Sequence, residues 1–194
     1  MEIIGITGSI GCGKTTIADI IRKLGYVVYD ADVWCRKLYF QEDFLNVINE
    51  NFPLAFDNGI FNKRKLRTHV FNNNKELKKL ENIIHPFLKK KFLNSIYKNS
   101  RNNNVMFVDV ALLFEMGWNK YCTKIIVADV EYEIQKQRVM KRDNISEKDF
   151  EKIVKVQLSN DYKKVLADYV IDTDKSLSLL KVELINLIKG FSLC

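Results

Sequence analysis

Residues 2–15 read EIIGITGSIGCGKT, an apolar run that passes directly into a turn containing three glycines. The run at 2–7 is rich in β-branched residues, which favours a β-strand. Residues 14–25 (KTTIADIIRKLG) repeat isoleucine and leucine at spacings of three and four, which predicts an amphipathic helix that ends at Gly25. Residues 26–30 (YVVYD) have the composition of a second strand. This order of strand, turn, helix and strand is a βαβ unit, so we expect a parallel sheet.

The glycine-rich turn matches the pattern G-x-x-x-x-G-K-[ST] at every fixed position from Gly8 to Thr15. Glycines permit backbone angles that point several N–H groups inward as a nest for an anion, and the next helix directs its positive end to the same place. Lys14 has the length to reach the β- and γ-phosphates of a nucleotide, and the Thr15 hydroxyl is suited to the coordination shell of Mg²⁺.

A bare match to this pattern can arise by chance in a glycine-rich turn that binds no nucleotide. Its position between a predicted strand and a predicted helix favours a nucleoside triphosphate site, with ATP as the expected ligand. The predicted ATP-binding residues are Gly11, Cys12, Gly13, Lys14, Thr15 and Thr16.

Two aspartates, Asp30 and Asp32, close the second strand in the stretch YVVYDAD. Ligands of an open parallel sheet gather at the carboxyl ends of its strands, so we expect both carboxylates near the phosphate site. Period-two alternation places them on the same side if the strand continues to Asp32. One is suited to take a proton from an acceptor hydroxyl and the other to orient Mg²⁺ through water; the alternative is capping of the next helix.

A second group of cations follows the strand predicted at 124–130, in the stretch QKQRVMKRD. Small phosphotransferases use mobile cations to cover the triphosphate and exclude water. Arg138 and Arg142 are one helical turn apart, so both can face one site, with Lys141 beside them. The alternative is a solvated, charged helix.

The rest of the chain completes an α/β pattern. Further strands are predicted at 104–114, 124–130 and 168–173, whereas strand signals are scarce from 38 to 101. Residues 75–96 have helical spacing with a break or kink expected near His85, because Pro86 removes an amide donor. A helix is expected to begin at Ser146, in capping-box spacing with Asp149. The tail is predicted to be a helix with a stripe formed by Leu177, Leu180, Leu184, Leu187 and Ile188.

Charge is concentrated in residues 62–101, which contain twelve Lys or Arg and two acidic residues in a chain of 194 residues with formal net charge +7. Such a segment indicates either an anionic partner, such as a nucleic acid or a polyphosphate ligand, or a solvated helical surface.

Asp109 and Glu115 interrupt the longest apolar stretch, at 105–118, so an ordinary membrane span is excluded. The four cysteines show no CxxC spacing, which fits a reduced, cytoplasmic setting.

The triphosphate site does not by itself name a reaction. A switch GTPase would carry an N-K-x-D motif to read the base, and the sequence has none. A small-molecule kinase is therefore the best class, with a nucleoside or nucleoside-monophosphate kinase as the enzyme alternative. The alternative from another class is a nucleic-acid-binding ATPase that uses the basic segment, although that segment lacks the interleaved aromatics of a stacking module.

Six stretches taken together resemble the dephospho-coenzyme A kinase family. In chain order they are ITGSIGCGKTTIA, VVYDADVWCRKL with the D-A-D-x-x-x-R segment, IIHPFL with the His-Pro motif, FVDVALLFEMGW, QRVMKRD and ADYVIDT. The resemblance is collinear over nearly the whole chain. Two positions depart from the family pattern: Ala111 stands where the family usually has proline, and Thr173 where it usually has asparagine.

The resemblance implies a P-loop NTPase fold of three α/β/α layers with a five-stranded parallel sheet, a helical acceptor-binding lobe and a lid. The expected boundaries are 1–37, 102–135 and 165–194 for the nucleotide-binding core, 38–101 for the acceptor domain and 136–164 for the lid. The implied reaction transfers the γ-phosphoryl group of ATP to the ribose 3′-hydroxyl of dephospho-CoA, the last step of coenzyme A synthesis. We expect a cytoplasmic enzyme that is a monomer or weak homo-oligomer and binds neither nucleic acid nor membrane.

The resemblance also implies roles for particular residues. Asp32 would be the catalytic base, assisted by Lys14 and by Arg138 and Arg142 as clamps on the phosphates. Mg²⁺ would be held at Thr15, with Asp30 or Asp109 acting through water. The acceptor-binding residues would be Asp32, Arg36, His85, Leu113 and Glu115.

Overall fold

The computed structural model describes residues 1–71, 73–101 and 103–191, and the chain divides into two compact units. The sheet unit consists of Met1–Asp30 and the chain from Tyr97 onward, and the helical unit is Ala31–Ile96. The strands are β1 Glu2–Thr7, β2 Val27–Asp30, β3 Phe56–Asp57, β4 Ile60–Phe61, β5 Val105–Asp109, β6 Lys124–Asp129 and β7 Tyr169–Asp172. The α-helices are α1 Lys14–Lys23, α2 Ala31–Leu38, α3 Glu42–Asn51, α4 Lys63–Phe71, α5 Asn74–Asn99, α6 Tyr132–Asp143, α7 Glu147–Lys155, α8 Asn160–Val165 and α9 Leu177–Phe191.

The sheet unit is built on five parallel strands, which confirms the predicted five-stranded parallel sheet, and their order is β2-β5-β1-β6-β7. β1 lies in the middle of the sheet between β5 and β6, and its isoleucines Ile4 and Ile6 are fully inaccessible. The apolar face of α1 packs against this sheet through Ile17 and Ile21. Burial of these side chains is the main stabilising contribution, at about 1.5–3 kcal/mol for each large aliphatic residue.

The strand predicted at 104–114 is shorter in the structure, because β5 ends at Asp109. The chain then turns, and the amide of Trp118 donates to the carbonyl of Leu113 while Gly117 adopts φ +64°. The run stays mostly apolar because β5 is buried and the turn after it also buries Leu113 and Trp118, so hydrophobicity alone could not separate strand from turn.

The tail forms α9, which buries Leu180, Leu184 and Ile188 in the core of the sheet unit. Leu177, predicted to belong to the same stripe, is 67% exposed because it lies in the first turn, before the helix reaches the core.

The helical unit contains α2, α3, α4 and most of α5, together with a two-stranded antiparallel hairpin formed by β3 and β4. Its core includes Phe44, Ile48 and Phe52, none of which is more than 1% exposed. The hairpin turns at Asn58 and Gly59, which both have positive φ, as the Asn-Gly pair allows. This Asn-Gly pair is the sequence signal that could have predicted the hairpin.

α5 runs without interruption through Pro86, so of the break or kink predicted near His85 the break is wrong, while the kink stays a prediction. The proline removes the donor that would pair with the Asn82 carbonyl, but buried Leu80 and Leu88 hold the helix on both sides of it. Among the residues that the structure describes, no helix combines the length and the apolarity needed to cross a bilayer. The division of the chain into a core, an acceptor domain and a lid stays a prediction.

Candidate active site

The turn between β1 and α1 needs glycine for two separate reasons. Gly8, Gly11 and Gly13 all have positive φ, at +144°, +80° and +85°. A Cβ atom at Gly8 would also lie 2.5 Å from the carbonyl oxygen of Ala128, and one at Gly11 would lie 2.5 Å from Cγ2 of Val139. The turn therefore has the backbone of an anion nest and is packed closely against β6 and α6.

Lys14 begins α1 and folds back along this turn. Its Nζ atom donates to the carbonyl oxygens of Gly8 at 2.6 Å and Ser9 at 3.1 Å. Thr15 and Thr16 lie in the first turn of α1, where helix geometry leaves N–H groups without partners in the helix. Thr15 is exposed. This end of α1 can therefore bind a negatively charged group.

Cys12 is fully buried, and burial raises the pKa of its thiol above the ordinary value. The side chain is therefore neutral near pH 7 and contributes packing. Its carbonyl oxygen accepts a hydrogen bond from the Thr173 hydroxyl at 3.1 Å.

Arg138 projects from α6 onto the same neighbourhood. Its Nη1 atom donates to Oγ1 of Thr173 at 3.0 Å, and its Nη2 atom donates to the Thr173 carbonyl oxygen at 3.2 Å. Nη2 also lies 3.4 Å from a carboxylate oxygen of Asp174. The structure thus brings Arg138 together with Cys12 through Thr173, a residue whose bridging role no sequence motif predicts.

Arg142 lies one turn further along α6. Its Nε and Nη2 atoms donate to the two carboxylate oxygens of Asp143 at 2.8 and 2.7 Å. This paired hydrogen bond lowers the pKa of Asp143. The Arg142 side chain is 58% exposed, so in this structure it forms a surface pair with its neighbour.

Two carboxylates, Asp30 and Asp109, are register partners at the carboxyl ends of β2 and β5. Asp30 accepts from Nη2 of Arg22 at 2.9 Å, and Asp109 is 9% exposed. No group of three or more His, Cys, Asp or Glu side chains that could hold a metal ion occurs within 1–71, 73–101 and 103–191. The carboxylates of Asp30 and Asp109 and the Thr15 hydroxyl are oxygen donors of the kind that suits Mg²⁺, an ion that keeps waters and phosphate oxygens as further ligands when it arrives with its nucleotide.

Leu113 and Glu115, two predicted acceptor residues, have protein partners in the sheet unit. Leu113 is fully buried, and a Cβ atom at Gly5 would lie 2.9 Å from its Cδ2 atom. Glu115 lies 3.0 Å from the ammonium group of Lys163 and accepts from the amide of Leu158 at 2.9 Å. Lys163 is fully buried, and no motif in the sequence singles it out.

Asp32 and Arg36 lie one turn apart on α2, in the helical unit. β2 ends at Asp30 and α2 begins at Ala31, so the strand does not continue to Asp32 and the condition for placing the two carboxylates on one side by strand alternation is not met. Asp32 and Arg36 line one cavity of about 380 Å³. The other lining residues are Cys35, Tyr39, Lys63, Leu66, Arg67, Val70, Leu77 and Leu80.

This cavity has an apolar floor and a cationic edge, because Arg36, Lys63 and Arg67 outnumber the single carboxylate of Asp32. The Lys63 ammonium group lies 5.0 Å from the centre of the Tyr39 ring. His85 is half-buried on α5, and burial lowers its pKa against the opposing influence of Glu81.

A glycine-rich turn ahead of α1, a parallel sheet of order β2-β5-β1-β6-β7 and arginines on α6 define a P-loop kinase. A sequence model of one kinase family, "Dephospho-CoA kinase", matches residues 2–178. The chain therefore belongs to the dephospho-CoA kinase family, which makes it an ATP-dependent kinase, and the family resemblance found in the sequence is confirmed.

Individual relatives agree with this assignment. The dephospho-CoA kinase of Bartonella henselae is 38% identical over 193 residues, which cover 98% of each chain. Among solved structures, TT1252 from Thermus thermophilus superposes with a TM-score of 0.84 and 29% identity, covering 100% of this chain and 98% of that one. The dephospho-CoA kinase from Campylobacter jejuni gives a TM-score of 0.75 with 28% identity and covers 99% and 98% of the two chains.

Proposed function

We propose that this protein transfers the γ-phosphoryl group of ATP to the 3′-hydroxyl of the ribose of dephospho-CoA, which gives CoA and ADP. The observation that carries the proposal is the complete P-loop, with its glycines at positive φ ahead of α1, in a chain of this family. The reaction would be the last step of coenzyme A synthesis.

On the donor side, Lys14 and the N–H groups of the first turn of α1 would bind the β- and γ-phosphates of ATP. The Thr15 hydroxyl would hold Mg²⁺, with Asp30 or Asp109 acting through water. The ion supplies positive charge against the phosphate oxygens when it is bound. Arg138 is held by Thr173 beside Cys12, which supports its role as a phosphate clamp. For Arg142 the same role requires that it leave Asp143.

On the acceptor side, Asp32 would take the proton of the 3′-hydroxyl as that oxygen bonds to the γ-phosphorus. The bond from the γ-phosphorus to the oxygen it shares with the β-phosphate then breaks, and ADP leaves. Arg36, one helical turn from Asp32 on the same cavity, would hold the acceptor. Its neighbours Lys63 and Arg67 supply charge that suits the diphosphate of dephospho-CoA. His85, Leu113 and Glu115 would shape the acceptor site.

Release of ADP in the presence of Mg²⁺ and one acceptor at a time tests the proposal. The acceptors are dephospho-CoA, AMP, CMP and UMP at equal concentration. We expect turnover with dephospho-CoA and background rates with the three monophosphates. Turnover with a monophosphate alone would contradict the proposal and favour a nucleoside-monophosphate kinase.

A further inference from the structure

Two backbone amides of the P-loop donate hydrogen bonds to side-chain carbonyl oxygens from another part of the chain. The amide of Ser9 donates to Oδ1 of Asn160 at 2.9 Å, and the amide of Ile10 donates to Oε1 of Gln157 at 3.0 Å. Both acceptors come from the segment between α7 and the start of α8, about 150 residues away in the chain. We call Gln157 and Asn160 the clamp residues.

The same part of the loop is also held through its acceptor. The side-chain amide of Gln135 donates to the carbonyl oxygen of Ile10 at 2.7 Å. Asn160 is oriented in turn, because its Nδ2 atom donates to the Ala128 carbonyl at 3.2 Å and to the Asp129 carboxylate at 2.5 Å. Asn160, which holds Ser9, is thus positioned by β6, and Gln135, which holds Ile10, belongs to α6.

The segment that carries the clamp residues is anchored by an ion pair whose lysine is fully buried. The ammonium group of Lys163, fully inaccessible to solvent, donates to the carbonyl oxygen of Ala111 at 2.8 Å and lies 3.0 Å from Glu115. Glu115 also accepts the amide of Leu158, the residue after Gln157. Gln157 therefore directly precedes a residue whose amide makes a charge-assisted hydrogen bond with the Glu115 carboxylate.

This arrangement divides the loop into two functional parts. The amides of Ser9 and Ile10 are satisfied by protein, whereas the first-turn amides of α1 have no partner within the helix by geometry. A glycine-rich loop has many accessible conformations, and binding is weaker when the ligand must first order it.

We propose that Gln157 and Asn160 are positioning residues that hold the P-loop in its phosphate-binding shape. Affinity for the nucleotide then depends on them, whereas affinity for the acceptor does not. The inference rests on the proposed function only in taking ATP as the ligand of the P-loop. A direct measurement of ATP binding therefore tests it even if dephospho-CoA is not the acceptor.

The variants Gln157→Met and Gln157→Glu separate positioning from simple packing. Methionine has a similar length and no acceptor oxygen, whereas glutamate keeps an oxygen for the Ile10 amide. We expect the Kd for MgATP to rise about tenfold in Q157M, the equivalent of one buried hydrogen bond. In Q157E the added carboxylate repels the phosphates, so amide exchange, and not affinity, reports whether its oxygen still holds the loop. Amide hydrogen exchange at Ile10 is expected to quicken in Q157M only.

The matched control is Gln137→Met, the same chemical change at an exposed glutamine of α6, which should leave both measurements unchanged. Unaltered ATP affinity in Q157M would overturn the proposal, as would equally fast exchange of the Ile10 amide in Q157M and Q157E. An equal rise in the KM for dephospho-CoA would also overturn it, since that result indicates general loss of structure. If Q157M does not fold, slow exchange of the Ser9 and Ile10 amides in the wild-type protein supports the clamp, and fast exchange refutes it.

Discussion

The hydroxyl group of Thr173 donates a hydrogen bond of 3.1 Å to the carbonyl oxygen of Cys12, and so joins the end of β7 to the P-loop. Thr173 is only 7% exposed and packs closely on the next residue of the loop. A Cβ atom at Gly13 would lie 2.8 Å from both Cβ and Oγ1 of Thr173. The shape of the P-loop therefore depends on a contact with the opposite end of the chain.

Gly13→Ala should abolish tight ATP binding, and Gly25→Ala should not. The two glycines have nearly the same φ, +85° and +91°, so alanine brings a similar backbone strain of about 1–2 kcal/mol at each position. Only Gly13 faces a steric clash, since a Cβ atom at Gly25 would have no other atom within 4 Å among the described residues outside its immediate chain neighbours. We expect the Kd for MgATP, measured by calorimetry, to rise more than about tenfold in G13A beyond any change in G25A. Equal affinity in the two variants would show that Thr173 does not constrain the loop.

Asp32→Asn should lower kcat by about 10²–10⁴ because the acceptor hydroxyl loses its general base. The Kd for MgATP should be unchanged. The matched variant is Asp30→Asn, whose carboxylate is held by Arg22 at 2.9 Å. We expect D30N to lose much less of its kcat than D32N, because Asp30 would act on the reaction only through water on Mg²⁺, and to lose some thermal stability. Normal turnover of dephospho-CoA by D32N, with intact ATP binding, would refute the role of Asp32.

Lys163→Met should destabilise the fold far more than Lys164→Met. Lys163 is fully buried against Glu115, and removal of one partner of such a pair costs about 3–5 kcal/mol. Lys164 is 33% exposed and pairs with Asp129 and Asp161, so its loss should cost about 1 kcal/mol or less. Urea unfolding measures the free energy of unfolding of the two variants. The double variant K163M/E115M should recover part of the stability that K163M loses, because it leaves no unpaired carboxylate. Similar free energies of unfolding for K163M and K164M would contradict the account of the buried pair.

Alkaline pH should reduce stability partly through Cys122. Burial raises the pKa of this thiol from 9.0 to about 12. The unfolded chain therefore releases the proton at lower pH than the folded chain, and stability present below pH 9 is lost as pH rises towards 12. Cys122→Ser should show a shallower fall of Tm between pH 8 and pH 10.5, while the difference between the two proteins stays constant from pH 6 to pH 8. If Tm falls in parallel in the wild-type protein and in Cys122→Ser from pH 6 to pH 10.5, Cys122 does not contribute to the loss of stability.

Much of the sheet unit could be predicted from the sequence because short stretches of neighbouring residues determine its strands and turns. Glycines at 8, 11 and 13 favour a turn of positive φ, and short apolar runs such as 125–128 predict buried parallel strands. The capping box at Ser146 was also predicted, and its side chain accepts from the amide of Asp149 in the structure.

The contacts that shape the site could not be predicted in this way. Gln157 and Asn160 belong to no motif, and they meet the P-loop only through the tertiary fold. Lys163 stands in a charged stretch where a buried lysine cannot be distinguished from a solvated one. Pro86 is tolerated because packing on both sides of α5 outweighs one missing hydrogen bond.

The position of the new phosphate on the product tests the central claim most directly. The protein is incubated with MgATP and dephospho-CoA, and the product is examined by ³¹P NMR with proton coupling. We predict one new phosphomonoester coupled to the ribose H3′, with the diphosphate intact and one ADP formed for each product molecule. A phosphate at any other position, or no product from dephospho-CoA while a nucleoside monophosphate is phosphorylated, would contradict the account.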